Sequence, residues 1–293
     1  MRRFEQVDVF SPQPLGGNPV AVVLDGEGLS SEEMVSFTRW TNLSEATFLL
    51  PPTQPGADYR VRIFYAAGEL DFAGHPTLGS CHAWLRTGGT PQRPGTVVQE
   101  CPAGLIRIEQ RADHLAFEAP ELRRAGPVED SELDRIARVL GIERDGIVAD
   151  NWVDNGPGWV AVMLGSAEEV LALHPVADDG ERIDLGVVGP YPEGSAAAYE
   201  VRAFFSNERG ELVEDPVTGS LNASLAQWLI SSGRVSPPYT ASQGTNLGRS
   251  GRPRIDQDAA GTVWVGGMTH TVVEGRVAIG AEPSGDPSSS GGS

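Results

Sequence analysis

YRVRIFYAAGELDFAGHPTLGSCHA is the sequence of residues 59–83, and YEVRAFFSNERGELVEDPVTGSLNA is that of residues 199–223. Aligned without a gap, the two stretches are identical at eight of 25 positions, where unrelated sequences would share roughly one or two. The same spacing aligns Val20-Ala21-Val22 with Val160-Ala161-Val162. Because two separated segments agree on one spacing, we predict that the chain contains two copies of one fold unit.

Length and composition narrow the class of protein. A chain of 293 residues lies at the upper limit for one hydrophobic core, so two domains are expected. The formal net charge of −18 argues against a nucleic-acid partner and against an anionic membrane. Two cysteines, Cys81 and Cys101, make neither a disulfide framework nor a metal-ligand pattern. No signal peptide and no apolar run of membrane-spanning length is found, so a cytoplasmic protein is expected.

Hydrophobic periodicity and turn signals predict many short strands and four helices. Strands are expected at Phe4–Phe10, Pro19–Leu24, Ala46–Leu50, Tyr59–Tyr65, Thr96–Gln99, Leu105–Gln110 and Leu115–Glu118 in the first half. In the second half they are expected at Ile147–Ala149, Trp159–Leu164, Tyr199–Phe205, Thr262–Val265 and Thr271–Ile279. The helices are a segment capped by Ser30 and Glu33 and ending near Trp40, then Pro76–Leu85, Ser131–Leu140 and Gly219–Ile230.

Two of these helices, Pro76–Leu85 and Gly219–Ile230, are apolar or small nearly all round. A helix without a polar face must be buried on every side, which suggests a strongly curved, barrel-like sheet around it. The sequence therefore predicts an α+β architecture that occurs twice. We place an N-terminal domain at 1–118, with about 268–281 returning to it, and a C-terminal domain at 119–267. The Gly/Ser/Pro-rich segment 282–293 is expected to be a disordered tail.

Both apolar helices begin with a polar, proline-containing turn, at 74–77 and at 215–220. In the ungapped alignment His75 faces Asp215, each directly before the shared proline. A helix N-terminus presents unpaired N–H groups and a partial positive charge, and it therefore binds carboxylates. If the two halves face each other across a pseudo-twofold axis, both N-termini converge on one cleft that would hold a small anionic substrate. The alternative is that Asp215 and Ser220 are ordinary helix caps.

Glu45 is a second candidate for chemistry, because it directly precedes a hydrophobic strand and has no carboxylate counterpart in the second copy. Most glutamates are simply solvated, which is the alternative. A glutamate partly buried in a cleft has a raised pKa and can act as acid and base in turn. A nucleophilic triad finds little support, because no GxSxG motif exists. Cys81 is expected to be a packed residue and not a thiolate.

At these positions the sequence resembles the PhzF family of phenazine-biosynthesis isomerases and their relatives. The matching motifs span nearly the whole chain in the expected order: DVFSPQPLGGNPVAVVL (8–24), NLSEATFLL (42–50), AGHPTLGS (73–80), EDPVTGSLNA (214–223) and QGTNLGRSGR (243–252). The resemblance implies a diaminopimelate-epimerase-like fold of two pseudo-symmetric halves with the site between them. Cysteine-based racemisation is not expected, because neither cysteine lies at the start of an apolar helix.

In PhzF-type enzymes a single glutamate moves a proton between carbons of an unsaturated cyclic amino acid. The resemblance implies that Glu45 is this residue, with His75 and Asp215 as catalytic partners. It further implies a homodimer without cofactor, acting in the biosynthesis of a specialised metabolite such as an antibiotic, and no cluster of His, Cys and carboxylate residues in the sequence suggests a metal. The residues expected to bind the substrate are Asn18, Gly74, Gly219 and Ser220.

The sequence differs from the family motifs at two positions, and two other functions are compatible with it. Cys81 and Leu221 stand where such motifs often carry alanine, and they could reshape the floor of the cleft. One alternative function is a lyase or cyclase that uses the same glutamate, and the mass of the product would distinguish it from an isomerase. The other is a non-catalytic protein that binds a small molecule, which would show no deuterium exchange or turnover.

Overall fold

The computed structural model describes residues 1–177, 182–207 and 209–280, so the predicted tail at 282–293 lies outside the described residues. The elements of the first half are β1 (Arg2–Val9), β2 (Asn18–Val23), α1 (Ser31–Thr41), β3 (Ala46–Leu50), β4 (Tyr59–Tyr65), β5 (Gly68–Leu70), α2 (Gly74–Arg86), β6 (Thr96–Cys101), β7 (Gly104–Gln110) and β8 (Leu115–Glu118). Two further elements follow before the repeat begins, β9 (Arg124–Gly126) and α3 (Asp130–Leu140).

The second half repeats the same order of strands and helices. Its elements are β10 (Ala149–Asp154), β11 (Val160–Met163), α4 (Ala167–Ala172), β12 (Asp184–Pro190), β13 (Tyr199–Ser206), β14 (Leu212–Asp215), α5 (Gly219–Ser231), β15 (Tyr239–Gln243), β16 (Arg254–Gln257) and β17 (Val263–Gly267). The strand β18 (Thr269–Val277) ends the described chain, and short 3₁₀ turns lie at Arg144–Gly146 and Thr245–Leu247.

Strand pairing confirms the duplication. In the first half β1–β2 is antiparallel, β2–β3 parallel, β3–β4 antiparallel and β4–β6 parallel. In the second half β10–β11, β11–β12, β12–β13 and β13–β15 follow the same sequence of directions. Antiparallel pairing of β8 with β17 joins the two sheets, and β18 returns to pair along β1. The molecule is therefore α+β as predicted, whereas the domain limits at 118/119 and 267/268 stay a prediction.

Each sheet encloses one apolar helix. Leu78, Cys81 and Ala83 of α2 are fully buried, and so are Leu221 and Ala223 of α5. Burial of a leucine side chain contributes about 1.5–3 kcal/mol, so a helix that is apolar all round is stable only where strands cover every side.

Outer helices cover the other face of the sheets. The first of them, α1, has the predicted capping box, in which Ser30 and Glu33 exchange side-chain and backbone hydrogen bonds. Its residues Met34 and Phe37 pack with Phe48 and Phe64 in a separate apolar cluster. In the second half α4 lies at the same point in the order of elements, and its Val170 packs in a cluster with Leu133 of the preceding helix α3. No helix among the described residues is long and apolar enough to cross a membrane.

The ungapped alignment is correct for the strands and wrong for the central helices. β4 and β13 begin at residues 59 and 199, a difference of 140, but α2 and α5 begin at Gly74 and Gly219, a difference of 145. The five additional residues lie in the connection between β13 and α5. His75, the second residue of α2, therefore corresponds to Ser220 in the second copy and not to Asp215, which ends β14.

Several element limits also differ from the prediction. The helix α2 begins at Gly74, two residues before Pro76, and this places His75 within its first turn. The strand expected at Ile147–Ala149 is instead β10, which begins at Ala149. The described strands β5, β9, β12, β14, β15 and β16 and the helix α4 had not been predicted.

Candidate active site

A cavity of about 1210 Å³ lies between the two halves of the molecule. The first half contributes Glu45, Leu70, Phe72 and Ala73 to its wall, and the second half contributes Asn155, Trp159, Asp184, Asp215, Thr218 and Ser220. This volume exceeds the 300–1,000 Å³ that is common for small-molecule sites. A single-ring acid would not fill it, so polar contacts must decide where such a ligand lies.

Contact between two glycines brings the starts of the central helices together. A Cβ atom built on Gly74 would lie 2.7 Å from the Gly219 Cα, and one built on Gly219 would lie 2.8 Å from the Gly74 Cα. Only residues without a side chain allow two backbones to approach so closely. The N-termini of α2 and α5 therefore converge between the two halves, which is the arrangement predicted from the repeat.

Neither helix start is capped by a side chain. The N-cap residues are Ala73 for α2 and Thr218 for α5, and neither makes a side-chain capping hydrogen bond. The Thr218 hydroxyl donates instead to the Asp215 carboxylate. The first-turn N–H groups of a helix carry partial positive charge and favour an anion. Asp215 is thus not a cap of α5, contrary to the alternative considered from the sequence.

Glu45 lies beside His75 at the inner end of the cavity. The Glu45 Oε2 atom is 3.3 Å from His75 Nε2, and the Glu45 side chain is 17% exposed. The two atoms are not aligned for a hydrogen bond, and neither has another partner among the described residues. Glu45 directly precedes β3, so the strand holds the backbone of this carboxylate while its side chain faces the cavity.

Asn18 connects the histidine with the carboxylate of the second half. Its Nδ2 group donates to Asp215 Oδ1 at 3.0 Å and to the Val217 carbonyl at 3.0 Å. The same nitrogen lies 3.3 Å from His75 Nδ1. His75 and Asp215 therefore lie close together on either side of Asn18, although they come from different halves.

Burial perturbs the ionisation of all three groups. It raises the pKa of Glu45 well above its ordinary value, and the negative charge of Asp215 raises it further. The pKa of Asp215 is also raised by burial, against the effect of its hydrogen bonds from Thr218 and Asn18. Burial lowers the pKa of His75 to about 3. The imidazole is thus neutral at ordinary pH, while Glu45 can hold a proton and release it.

Ser220, in the first turn of α5, faces the cavity as a hydrogen-bond donor. Trp159 Nε1 donates to Ser220 Oγ at 3.2 Å. No described acceptor takes the proton of the Ser220 hydroxyl, so this hydroxyl can donate to a ligand. The serine and the uncapped N-terminus of α5 together form a site suited to a carboxylate.

The predicted site residues fall into three positions. Glu45, Asp215 and Ser220 line the cavity, His75 and Asn18 contact them from behind, and Gly74 and Gly219 form the backbone contact between the helices. That the two glycines also bind a substrate stays a prediction.

Cys81 and Leu221 do not form the floor of the cleft. Both are fully buried in the core and neither lines the cavity. The Leu221 side chain packs against Gly186 of β12. Burial raises the pKa of the Cys81 thiol, as expected for a packed residue.

The cavity is also lined by three residues that the sequence does not predict as site residues, Asn155, Trp159 and Thr218. Asn155-Gly156 is an ordinary turn signal and Trp159 begins a hydrophobic run, so only the folded structure brings them to Ser220. In the part of the chain that the structure describes, no three His, Cys, Asp or Glu residues are grouped to hold a metal ion.

Comparison with known proteins gives matches over nearly the whole chain. A protein family described as "Phenazine biosynthesis-like protein" (PhzC-PhzF) matches residues 7–275. The chain is 34% identical to "Antisense-enhancing sequence 1" of Schizosaccharomyces pombe, over 93% of this chain and 97% of that protein. It is 32% identical to the "Trans-2,3-dihydro-3-hydroxyanthranilate isomerase" of Pseudomonas aeruginosa, over 94% of this chain and 99% of that protein.

The fold is also found among solved structures. A Bacillus anthracis phenazine biosynthesis protein of the PhzF family superimposes with a TM-score of 0.77 at 20% identity, covering 95% of this chain and 99% of that chain. At this level of identity the superposition establishes the fold alone, and it agrees with the two-copy architecture described above.

Proposed function

The chain belongs to the PhzF-like isomerase family, and from this premise we propose that it is a cofactor-independent isomerase that moves a proton within a small unsaturated cyclic amino acid. The observation that carries the proposal is the position of Glu45. Its carboxylate faces a cavity between the two halves and has a raised pKa, and its Oε2 atom has no hydrogen-bond partner among the described residues.

Glu45 acts as base and then as acid in this mechanism. The carboxylate removes a proton from one carbon, and the electron pair of the broken C–H bond enters the conjugated system of the substrate. The proton on the Glu45 carboxyl group exchanges with solvent, and the same carboxyl group then delivers a proton to another carbon on the same face, so no oxidant or reductant is consumed. Proton transfer by a positioned group contributes on the order of 10²–10⁴-fold.

The other site residues hold the substrate in this mechanism. Ser220 and the first-turn N–H groups of α5 bind its carboxylate, because they are the uncapped donors of the cavity. Asp215 orients its amino or hydroxyl groups from the cavity wall, and the neutral His75 positions Glu45 from behind. Donors placed in advance toward developing charge supply much of the catalysis in such sites. We extend the proposal to a cytoplasmic homodimer that acts in the biosynthesis of a specialised metabolite.

Incubation in D2O tests the proposed reaction. We would offer trans-2,3-dihydro-3-hydroxyanthranilate, the compound in the name of the Pseudomonas aeruginosa relative, together with other cyclohexadiene and aromatic amino acids. The expected product has the composition of its substrate and one deuterium in place of a hydrogen. A product of different composition would indicate a lyase or cyclase, and binding without deuterium exchange or turnover at any pH would indicate a binding protein.

The pH dependence of kcat/KM should report the raised pKa of Glu45. The base form of Glu45 increases as the pH rises through its pKa, so activity should rise along a limb with a midpoint above 4.5. In Asp215→Asn the midpoint should move to lower pH, because the charge that raises the Glu45 pKa is removed. His75, with a pKa of about 3, should add no inflection near 6.5. A midpoint that rises in the variant would contradict this account.

A further inference from the structure

The loop between β10 and β11 is held rigidly at the wall of the cavity. Asp154 Oδ1 accepts hydrogen bonds from the backbone N–H groups of Gly156 and Gly158, each at 2.7 Å. Both glycines have positive φ angles, 149° and 101°, a region that other residues rarely adopt. These contacts fix the backbone on both sides of Asn155.

The Asn155 side chain is oriented by one hydrogen bond and leaves one atom unpaired. Its Nδ2 group donates to the Ser220 carbonyl at 2.9 Å. Because a carbonyl only accepts, the amide nitrogen must face Ser220 and the oxygen must point the other way. Asn155 is 6% exposed, and its Oδ1 has no hydrogen-bond partner among the described residues although the residue lines the cavity.

The start of α5 therefore offers a donor and an acceptor next to each other. The Ser220 hydroxyl accepts from Trp159 and can donate its own proton into the cavity. The Asn155 Oδ1 can only accept. A carboxylate suits Ser220, whereas an N–H or O–H group of the same ligand suits Asn155. An unpaired buried acceptor destabilises the site, and a ligand that supplies a donor removes this cost.

We propose that Asn155 is a specificity residue that selects acids with an ammonium or hydroxyl donor close to the carboxylate. Asn155 accepts a hydrogen bond from this donor while Ser220 binds the carboxylate. The inference rests on the proposed function in one respect, since it takes the start of α5 as the carboxylate site.

Two ring-matched ligands test the proposal by calorimetry. The probes are 2-aminocyclohexanecarboxylate, which carries an ammonium group beside the carboxylate, and cyclohexanecarboxylate, which lacks it. The wild-type protein should bind the amino acid about 10- to 100-fold more tightly, the range for a hydrogen bond between a charged and a neutral group. In Asn155→Ala this preference should be lost, because the amino acid binds more weakly and the plain acid binds as before.

The plain acid also distinguishes specificity from support of the fold. If Asn155 only held the first turn of α5 through the Ser220 carbonyl, Asn155→Ala would weaken both ligands equally, and this outcome would overturn the proposal. So would an unchanged preference in the variant, or no preference in the wild-type protein. Asn151→Ala is the matched control, because Asn151 lies on β10 outside the cavity wall and binds Gly126. It should retain the wild-type preference.

Failure of the isomerase proposal would give a different result. If the wild-type protein prefers the amino acid through Asn155 but exchanges no proton in D2O, Asn155 is still a specificity residue and only the isomerase proposal fails. If Asn155→Ala exchanges protons with the wild-type rate and selectivity, the isomerase proposal stands and the proposed role of Asn155 fails.

Discussion

Glu45→Gln is expected to abolish the incorporation of solvent deuterium into the substrate while ligand binding stays within a few-fold of wild type. Glutamine has nearly the shape of glutamate but cannot take up a proton from carbon. The loss should be at least about 10²–10⁴-fold, the usual contribution of a positioned acid or base. Mass spectrometry of substrate and product in D2O measures the exchange, and calorimetry measures the binding.

Glu121→Gln is the matched control for this experiment. Glu121 also lines the cavity, but it is exposed and no contact connects it with His75 or Asp215. Its replacement should leave the exchange rate unchanged. If Glu45→Gln exchanged deuterium at the wild-type rate, Glu45 would have no part in the proton transfer, and another group would have to be found.

A raised Glu45 pKa suits a group that works in both directions. An ordinary glutamate releases its proton readily but is too weak a base to recover one from carbon. Burial beside Asp215 increases the basicity of Glu45. The adjacent His75 is neutral, so it forms no ion pair that would lower the Glu45 pKa again. Two carboxyl groups whose pKa values are raised by burial thus lie beside a neutral imidazole, and such perturbed groups in a cleft are typical of functional sites.

The repeat made much of the fold predictable. Alternating strands at 59–65 and 199–205 and two wholly apolar helices were enough to give two sheets, each around one helix. What the alignment could not show was the connection that is five residues longer before α5. Loops tolerate such changes in length far better than strands or buried helices do. Sequence identity between the strands of the two copies therefore does not show how the residues after the next loop align.

The strand β12 was missed for a different reason. Gly186 and Gly189 interrupt its sequence and resemble a loop signal. In the structure a Cβ atom on Gly186 would lie 2.6 Å from the Leu221 side chain, and one on Gly189 would lie 2.3 Å from the Ser166 carbonyl. These glycines permit close packing within a strand. Tertiary packing of this kind leaves no local signal in the sequence.

The site was predictable only in part for a related reason. Glu45, His75, Asp215 and Ser220 lie in motifs that resemble a known family, so they could be chosen in advance. Asn155 lies in a turn sequence, Asp154-Asn155-Gly156, that is common in loops of every function. Its relation to Ser220 arises from contact between residues that are 65 positions apart, and no local pattern encodes that contact.

Gly74→Ala should have the largest effect on the molecule as a whole. The new Cβ atom would lie 2.7 Å from the Gly219 Cα and 2.8 Å from Phe117 Cζ. A backbone atom cannot turn aside as a side chain can, so the helix starts must separate. Overpacking of this kind costs about 1–3 kcal/mol of the free energy of unfolding. Because a displacement of about 1 Å can cost on the order of 10²-fold in rate, activity should fall as well.

Urea unfolding and the deuterium-exchange rate measure the two effects. Gly219→Ala should behave like Gly74→Ala, and the double variant should lose less than the sum of the two, because one separation of the helices relieves both clashes. Gly275→Ala is the control, since a Cβ atom there meets nothing within 4 Å. If Gly74→Ala were as stable and as active as Gly275→Ala, the close contact between α2 and α5 would not hold the two halves of the site together. The convergence of the N-termini of α2 and α5 would then have no role in binding.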